Sequence, residues 1–133
     1  MTLKLLATYL STTAALVVID LVWLGVIAKP MYQAGIGHLM ADKPNLIAAF
    51  FFYALFPIGL MIFAILPESD TATWQHTAFL AALFGFFAYA TYDLTNLATL
   101  KNYPLQLALV DMLWGSLVSA IAATVGKLVL NRF

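Results

Sequence analysis

The sequence contains no cysteine, and charged residues make up only 9% of its 133 positions. The lack of cysteine excludes disulfides, thiolate metal sites and thiol-based catalysis, including that of small membrane thiol oxidoreductases. Basic and acidic side chains balance at six each, so no basic surface points to a nucleic-acid partner. A chain that is 64% hydrophobic lies far outside the composition of soluble domains. We therefore expect a membrane protein.

Four apolar segments are long enough to cross a bilayer, which takes about 20 residues per helix. The first segment is too long for the apolar part of a signal peptide, which is about 7–15 residues, so we expect it to be retained. The predicted fold is all-α, with four transmembrane helices in one antiparallel bundle that forms a single domain, residues 1–133. The predicted helices are residues 5–28, 46–66, 77–100 and 105–128.

The connections between these spans add further detail. Residues 101–104 form so short a turn that the last two spans must be antiparallel neighbours. The connection at residues 29–45 is longer and carries Tyr32 and Ile36 at helical spacing. It predicts a short interfacial segment between the first two spans, either a helix that covers the bundle or a loop that dips into the headgroups. Pro57, in the middle of the second span, predicts a kink.

Three aspartates lie inside the predicted spans. At a rise of about 1.5 Å per residue, Asp20 and Asp93 lie about 12–13 Å before the ends of their spans, and Asp111 about 10 Å after the start of its own. The first and third connections must share one side of a four-span chain, so the three carboxyls lie at one depth, as does Tyr53. An isolated charge in hydrocarbon costs at least about 2.5–3.5 kcal/mol. We therefore expect the aspartates to face one another.

Other polar and aromatic side chains accompany these carboxyls. Trp23 and Trp114 each follow an aspartate by three residues, as Asn96 follows the aspartate of the third span. Residues three apart share a helix face, so each carboxyl has an indole or an amide that can donate a hydrogen bond beside it. Tyr89 and Tyr92 continue the polar face of the third span. This span is the predicted main wall of a site.

Three carboxyls in one desolvated pocket cannot all be ionised comfortably, so at least one proton should reside there near neutral pH. Such a cluster suits proton exchange, the binding of a cation, or general acid and base chemistry on an apolar substrate. Alternatively, the carboxyls only join the helices, through hydrogen bonds worth about 0.6 kcal/mol each. A carboxylate site for magnesium or calcium is a further alternative, although we predict no metal, and the sequence indicates no particular cofactor.

Five motifs carry a resemblance to a known family. They are residues 19–25 (IDLVWLG), 37–39 (GHL), 43–45 (KPN), 89–100 (YATYDLTNLATL) and 110–115 (VDMLWG). Together they resemble a bacterial family of four-helix membrane proteins known as domain of unknown function 2177, over nearly the whole chain. The resemblance implies a multi-pass protein of the cell inner membrane, but it implies no reaction. It also adds His38, in the first connection, to the candidate site.

We predict a pocket that opens towards the first and third connections, in which Asp20, Asp93 and Asp111 handle protons or bind the polar part of a ligand. The expected partner is a membrane lipid or a lipid-soluble small molecule, which the protein binds or modifies. One alternative is a small proton-coupled transporter or channel, expected to be a homodimer because four helices enclose little volume. Another is a structural or accessory subunit. The predicted ligand-binding residues are Trp23, Tyr53, Tyr89, Tyr92, Asn96, Trp114 and His38.

Overall fold

The computed structural model describes residues 2–133, which are 83% helical and include no strand. Four helices are long and apolar enough to cross a membrane, as the sequence predicted, and their ends lie within three residues of the predicted bounds. The chain is therefore a multi-pass membrane protein built as a helical bundle. The four spans are Thr2–Ile27, Leu46–Ile65, Trp74–Thr99 and Leu105–Leu130.

Five α-helices and three shorter helical turns make up the described chain. The first connection, for which the sequence allowed a helix or a loop, contains a helix of eight residues. In chain order the elements are α1 (Thr2–Val22) with a π-helical turn (Trp23–Ile27), α2 (Lys29–Ile36) with a 3₁₀ turn (Gly37–Leu39), α3 (Leu46–Leu60) with a π-helical turn (Met61–Ile65), α4 (Trp74–Thr99) and α5 (Leu105–Leu130).

Local side-chain chemistry sets where several of these helices begin. Asn45 precedes α3, and its side-chain oxygen accepts a hydrogen bond from the backbone N–H of Ala48 at 3.1 Å. Thr73 caps α4 in the same way, accepting from the N–H of His76 at 3.2 Å. These caps satisfy backbone donors that have no partner inside the helix. Between α4 and α5, Asn102 takes a left-handed conformation with φ 60°, which asparagine tolerates, and the chain reverses there.

Pro57 is buried inside α3, where the sequence predicted a kink. The helix continues through this proline, and the departure from α-helical geometry comes at the π-helical turn Met61–Ile65. There the backbone N–H of Leu66 donates to the carbonyl of Met61, five residues earlier, at 2.9 Å. A π-helical turn inserts an extra residue into a helix and so changes which side chains face the bundle.

Helix α5 is the centre of the bundle, because it has thirteen buried residues whereas α4 has five and α1 has four. It packs most extensively on α4 and next on α1. At the contact with α4 the two backbones approach closely: a methyl group at Gly85 would overlap the carbonyl of Gly115 and the side chain of Ser119. Small residues at three- and four-residue spacing permit this approach.

Helices α3 and α4 are in contact at one end and separate at the other. Over Leu46–Leu60, α3 packs mainly on α1, whereas the π-helical turn Met61–Ile65 packs on α4. The ring of Phe56 lies 5.4 Å from that of Phe84 and 6.2 Å from that of Tyr89, measured between centroids. From Phe56 towards the start of α3, no extensive contact joins the two helices. A cleft lies between them there, lined by residues of both helices.

Candidate functional site

A cavity of about 530 Å³ occupies this cleft, in the half of the bundle where α3 and α5 begin. Helix α3 contributes four of its lining residues and α4 contributes three, whereas the sequence had favoured the third span as the main wall. The remainder come from α1 and the π-helical turn after it, from α2 and from α5, so every α-helix takes part. The lining residues are Asp20, Leu24, Tyr32, Ala49, Phe52, Tyr53, Phe56, Ala88, Tyr89, Tyr92, Asp111 and Trp114.

Asp20 is buried in the wall of the cavity and joins three helices. Its Oδ2 accepts a hydrogen bond from the hydroxyl of Tyr53 on α3 at 2.5 Å, and its Oδ1 accepts from the indole N–H of Trp114 on α5 at 2.9 Å. Both donors are neutral side chains. They hold the carboxyl in one orientation without cancelling its charge.

Asp111 of α5 lies in the same wall and is bound from α2. Its Oδ1 accepts a hydrogen bond from the hydroxyl of Tyr32, and the indole N–H of Trp23 points to that hydroxyl at 3.5 Å. Burial raises the pKa of the Tyr32 phenol, and the hydrogen bond to Asp111 raises it further. Tyr32 therefore stays a neutral donor at physiological pH.

The two Asp-x-x-Trp motifs, on α1 and α5, meet at the cavity. The rings of Trp23 and Trp114 are stacked, with centroids 4.3 Å apart and planes 6° from parallel. Each indole N–H serves the motif of the other helix: Trp114 donates to Asp20 directly, and Trp23 reaches Asp111 through Tyr32. Because α1 and α5 run antiparallel, this exchange gives the site an approximate two-fold pattern.

Asp93 of α4 lies behind Asp111 and outside the cavity wall. It is fully buried, and its Oδ1 accepts a hydrogen bond from the hydroxyl of Tyr103 at 3.0 Å. Burial raises the pKa of Tyr103, which therefore remains a neutral donor. Within residues 2–133, the Oδ2 of Asp93 has no hydrogen-bond partner. Two buried carboxyls this close to each other need a proton or a cation between them.

The other predicted site residues lie at increasing distance from these carboxyls. Tyr89 lines the cavity and packs on Gly115 so closely that a methyl group there would overlap its ring. Tyr92 also lines the cavity and is 54% exposed, with Asn96 beside it but outside the wall. His38 lies in the 3₁₀ turn, exposed and away from the lining. The structure thus brings together all the predicted residues except Asn96, at the margin, and His38.

Two donors of the site, Tyr32 and Tyr103, were not among the predicted site residues. Tyr32 had a signal, because it lies at helical spacing in the first connection, whereas Tyr103 gave none. Tyr32 reaches Asp111 because α2 folds onto the start of α5, whereas Tyr103 reaches Asp93 from the turn between α4 and α5. A methyl group at Gly35 would lie 3.0 Å from the Cγ of Pro104, and Tyr32 packs beside Leu107 in the same small cluster.

The charge of the cavity is one-sided. Seven of its lining residues are aromatic, two are aspartates, and none is basic. Lys29, Lys43 and Lys101 are exposed in the connections, and the amine of Lys127 donates to the carbonyl of Ser69 at 2.7 Å. Among the residues described, no group of three or more histidines and acidic side chains is arranged to hold a metal ion. Asp20 is held by Tyr53 and Trp114, whereas Asp93 and Asp111 lie beside each other as a pair.

Four helices, each long and apolar enough to cross a membrane, define the chain as a multi-pass membrane protein. It belongs to the family described as "Predicted membrane protein (DUF2177)", which it matches over residues 5–128. Comparisons with curated proteins and with solved structures found no match.

Proposed function

We propose that this protein binds a membrane-soluble, lipid-like molecule in the cleft between α3 and α4, with the polar end of the molecule at Asp20 and Asp111. The observation that carries the proposal is the cavity of about 530 Å³, whose lining combines aromatic side chains with two buried carboxyls. Pockets for small molecules typically measure about 300–1,000 Å³ and pair an apolar lining with a few polar groups.

The shape of the cleft supports a ligand that arrives through the bilayer. Helix α2 closes the end next to the first connection, because Tyr32 is bonded to Asp111 and Gly35 packs on Pro104. The side between α3 and α4 is open, and large apolar side chains such as Phe51 and Phe87 are exposed on the outer faces of these helices. An apolar chain can therefore pass between the helices without leaving hydrocarbon. The inner membrane, implied by the family resemblance, is the proposed location.

The carboxyl pair suits proton transfer to or from such a ligand. Asp111 faces the cavity, while Asp93 lies behind it with one oxygen unpartnered among the described residues. A proton shared by the pair can pass to a hydroxyl, amine or carbonyl oxygen that contacts Asp111. A positioned carboxyl of this kind typically contributes about 10²–10⁴-fold to a reaction rate. Chemical modification of the bound molecule is therefore part of the proposal.

The packing beyond the aspartates favours a binding pocket over a continuous path. At Gly85 the two backbones leave no room for a methyl group between α4 and α5. Proton-coupled transport, by a homodimer, remains the alternative function. It predicts proton flux in liposomes that depends on the three carboxyls, whereas the binding proposal predicts none.

A matched pair of substitutions on α3 tests the proposal. Ala49 lines the cavity, and its neighbour Ala48 is exposed on the outer face of the same helix. We expect Ala49→Trp to fill the cavity and to reduce crosslinking by a photoactivatable fatty alcohol in native membranes. Ala48→Trp should leave crosslinking unchanged. Equal crosslinking of both variants, or crosslinks in the wild-type protein that map only to outward-facing residues, would contradict the proposal.

A further inference from the structure

Resting on the proposed function, we infer that the polar end of the ligand is a cation: a protonated amine or a quaternary ammonium group on an apolar chain. The juxtaposition that points to this class is two buried carboxyls among seven aromatic side chains, with no basic residue in the wall.

The wall of the cavity contains acidic side chains and no basic one. Asp20 and Asp111 are the titratable acids of the wall, and its twelve lining residues include no lysine, arginine or histidine. In a medium of low dielectric constant an uncompensated carboxylate strongly attracts a positive group and repels an anionic one. A phosphate or carboxylate head group is therefore disfavoured here.

Two hydrogen-bond donors surround the carboxyl of Asp20. Both oxygens of Asp20 accept hydrogen bonds, from Tyr53 and from Trp114. Both donors are neutral side chains, so they orient the carboxyl of Asp20 and leave the positive charge for a ligand to supply.

One buried carboxyl oxygen next to Asp111 lacks a hydrogen-bond donor among the described residues. Asp93 is fully buried, and its Oδ2 has no partner in the described part of the chain, although the residue lies beside Asp111. Buried carboxyl oxygens are usually hydrogen-bonded, so an unfilled one beside Asp111 indicates a proton shared by the two carboxyls or a cation next to them. Because Asp93 lies outside the cavity wall, an ammonium group bound at Asp111 supplies a positive charge next to the pair and donates its N–H groups to Asp111 alone.

Aromatic side chains make up most of the cavity lining. Tyr53, Tyr89 and Trp114 line the cavity together with Asp20. The faces of tyrosine and tryptophan rings attract cations, and cages of aromatic rings recognise quaternary ammonium ligands. An apolar chain on the cation also fits the aromatic remainder of the lining.

Binding of four chemically matched probes to the protein in micelles of the nonionic detergent dodecyl maltoside tests the inference. The probes are dodecylamine, dodecanol, dodecyl phosphate and ethylamine, at neutral pH. Substitution of the exposed Trp74 by phenylalanine leaves the Trp23–Trp114 pair as the fluorescent reporter in the cavity. We expect saturable binding of dodecylamine, at least about tenfold tighter than that of the other three probes.

Two variants distinguish binding in the cavity from non-specific attraction of the probe to surface charge. Asp111→Asn should weaken dodecylamine about tenfold without affecting dodecanol. Asp42→Asn removes the same charge from an exposed position in the first connection and should change neither affinity. If Asp111→Asn does not fold, the ranking of the four probes on the otherwise unchanged chain decides the matter alone.

The remaining outcomes test the cationic head group, the apolar chain and the proposed function separately. Equal affinity for the three dodecyl probes would overturn the cationic head group and leave the proposed function standing. Ethylamine binding as tightly as dodecylamine would indicate a site for small cations and overturn the amphiphile. Saturable binding of none of the probes, together with equal crosslinking of the Ala48 and Ala49 variants, would overturn the proposed function itself.

Discussion

Trp114 of α5 donates its indole hydrogen bond to Asp20 of α1 at a distance of 2.9 Å. The same indole ring stacks on Trp23, one turn after Asp20 on α1, with 4.3 Å between the ring centroids. One side chain thus joins two helices by a polar contact and by an apolar one, at the wall of the cavity. The orientation of the carboxyl depends on this double contact.

Phenylalanine substitutions separate the two contacts. Trp114→Phe keeps a ring for stacking but removes the donor to Asp20, and we expect it to lower the free energy of unfolding by about 1–2 kcal/mol. Trp23→Phe should cost less, because the hydrogen bond lost, to Tyr32, is long at 3.5 Å. Unfolding by sodium dodecyl sulfate, followed by circular dichroism, measures both. An equal or larger loss for Trp23→Phe would contradict this view of the pair.

The close contact between α4 and α5 predicts the effect of a single added methyl group. Gly85→Ala would overlap Gly115 and Ser119 on α5, so we expect a loss of stability of about 1–3 kcal/mol, typical of overpacking. Gly25→Ala is the matched control, since no atom lies within 4 Å of the position of its new methyl group. Thermal unfolding in detergent should separate the two variants. Equal unfolding temperatures would rule out a tight α4–α5 contact.

The stability of the bundle should fall at alkaline pH because of Tyr32. Its pKa is raised above the ordinary value of about 10, first by burial and then by the hydrogen bond to Asp111. Above about pH 10 the unfolded chain loses this phenolic proton while the folded chain keeps it, so the folded state binds more protons and stability decreases as pH rises. Tyr32→Phe should make the decrease shallower, measured by unfolding at about pH 9 and about pH 11. Identical slopes for both proteins would refute the assignment.

Lys127 predicts a local effect at the loop between α3 and α4. It is fully buried, and its amine donates to the carbonyl of Ser69. We expect Lys127→Met to change global stability little, because it also removes a buried charge, but to speed amide hydrogen exchange in residues 67–73. Lys101→Met, at an exposed position, is the control. Unchanged exchange in residues 67–73 would mean that this hydrogen bond does not hold the loop.

The level of the carboxyls along the helix axes could be predicted from the sequence because helical rise is fixed and the connections are short. Counting residues from the ends of the spans put Asp20 and Tyr53 at one level, and their side chains are hydrogen-bonded. The same counting put Asp93 and Asp111 together, and they are neighbours. For long apolar helices, position along the axis is therefore almost a property of the sequence alone.

The donors from outside the spans could not be predicted in this way. Tyr32 reaches Asp111 because α2 packs on the start of α5, and that packing depends on the fit of Gly35 to Pro104. Such a fit is tertiary and leaves no periodic pattern. The burial of Lys127 is similar, since a lysine near the end of a span normally reaches water and here a loop carbonyl takes its place. The cleft itself also depends on where α3 leaves α4, which the sequence does not encode locally.

The proposed entry between α3 and α4 has a consequence for how occupancy of the cavity is measured. If a ligand enters the cavity from the bilayer, as proposed, its mole fraction in the lipid sets the equilibrium. An apparent Kd expressed per volume of water would then rise in proportion to the amount of lipid in the assay, while the value per mole of lipid stayed constant. Partition into the membrane and recognition by the carboxyls would then be two successive selections, the first made by the lipid and the second by the protein.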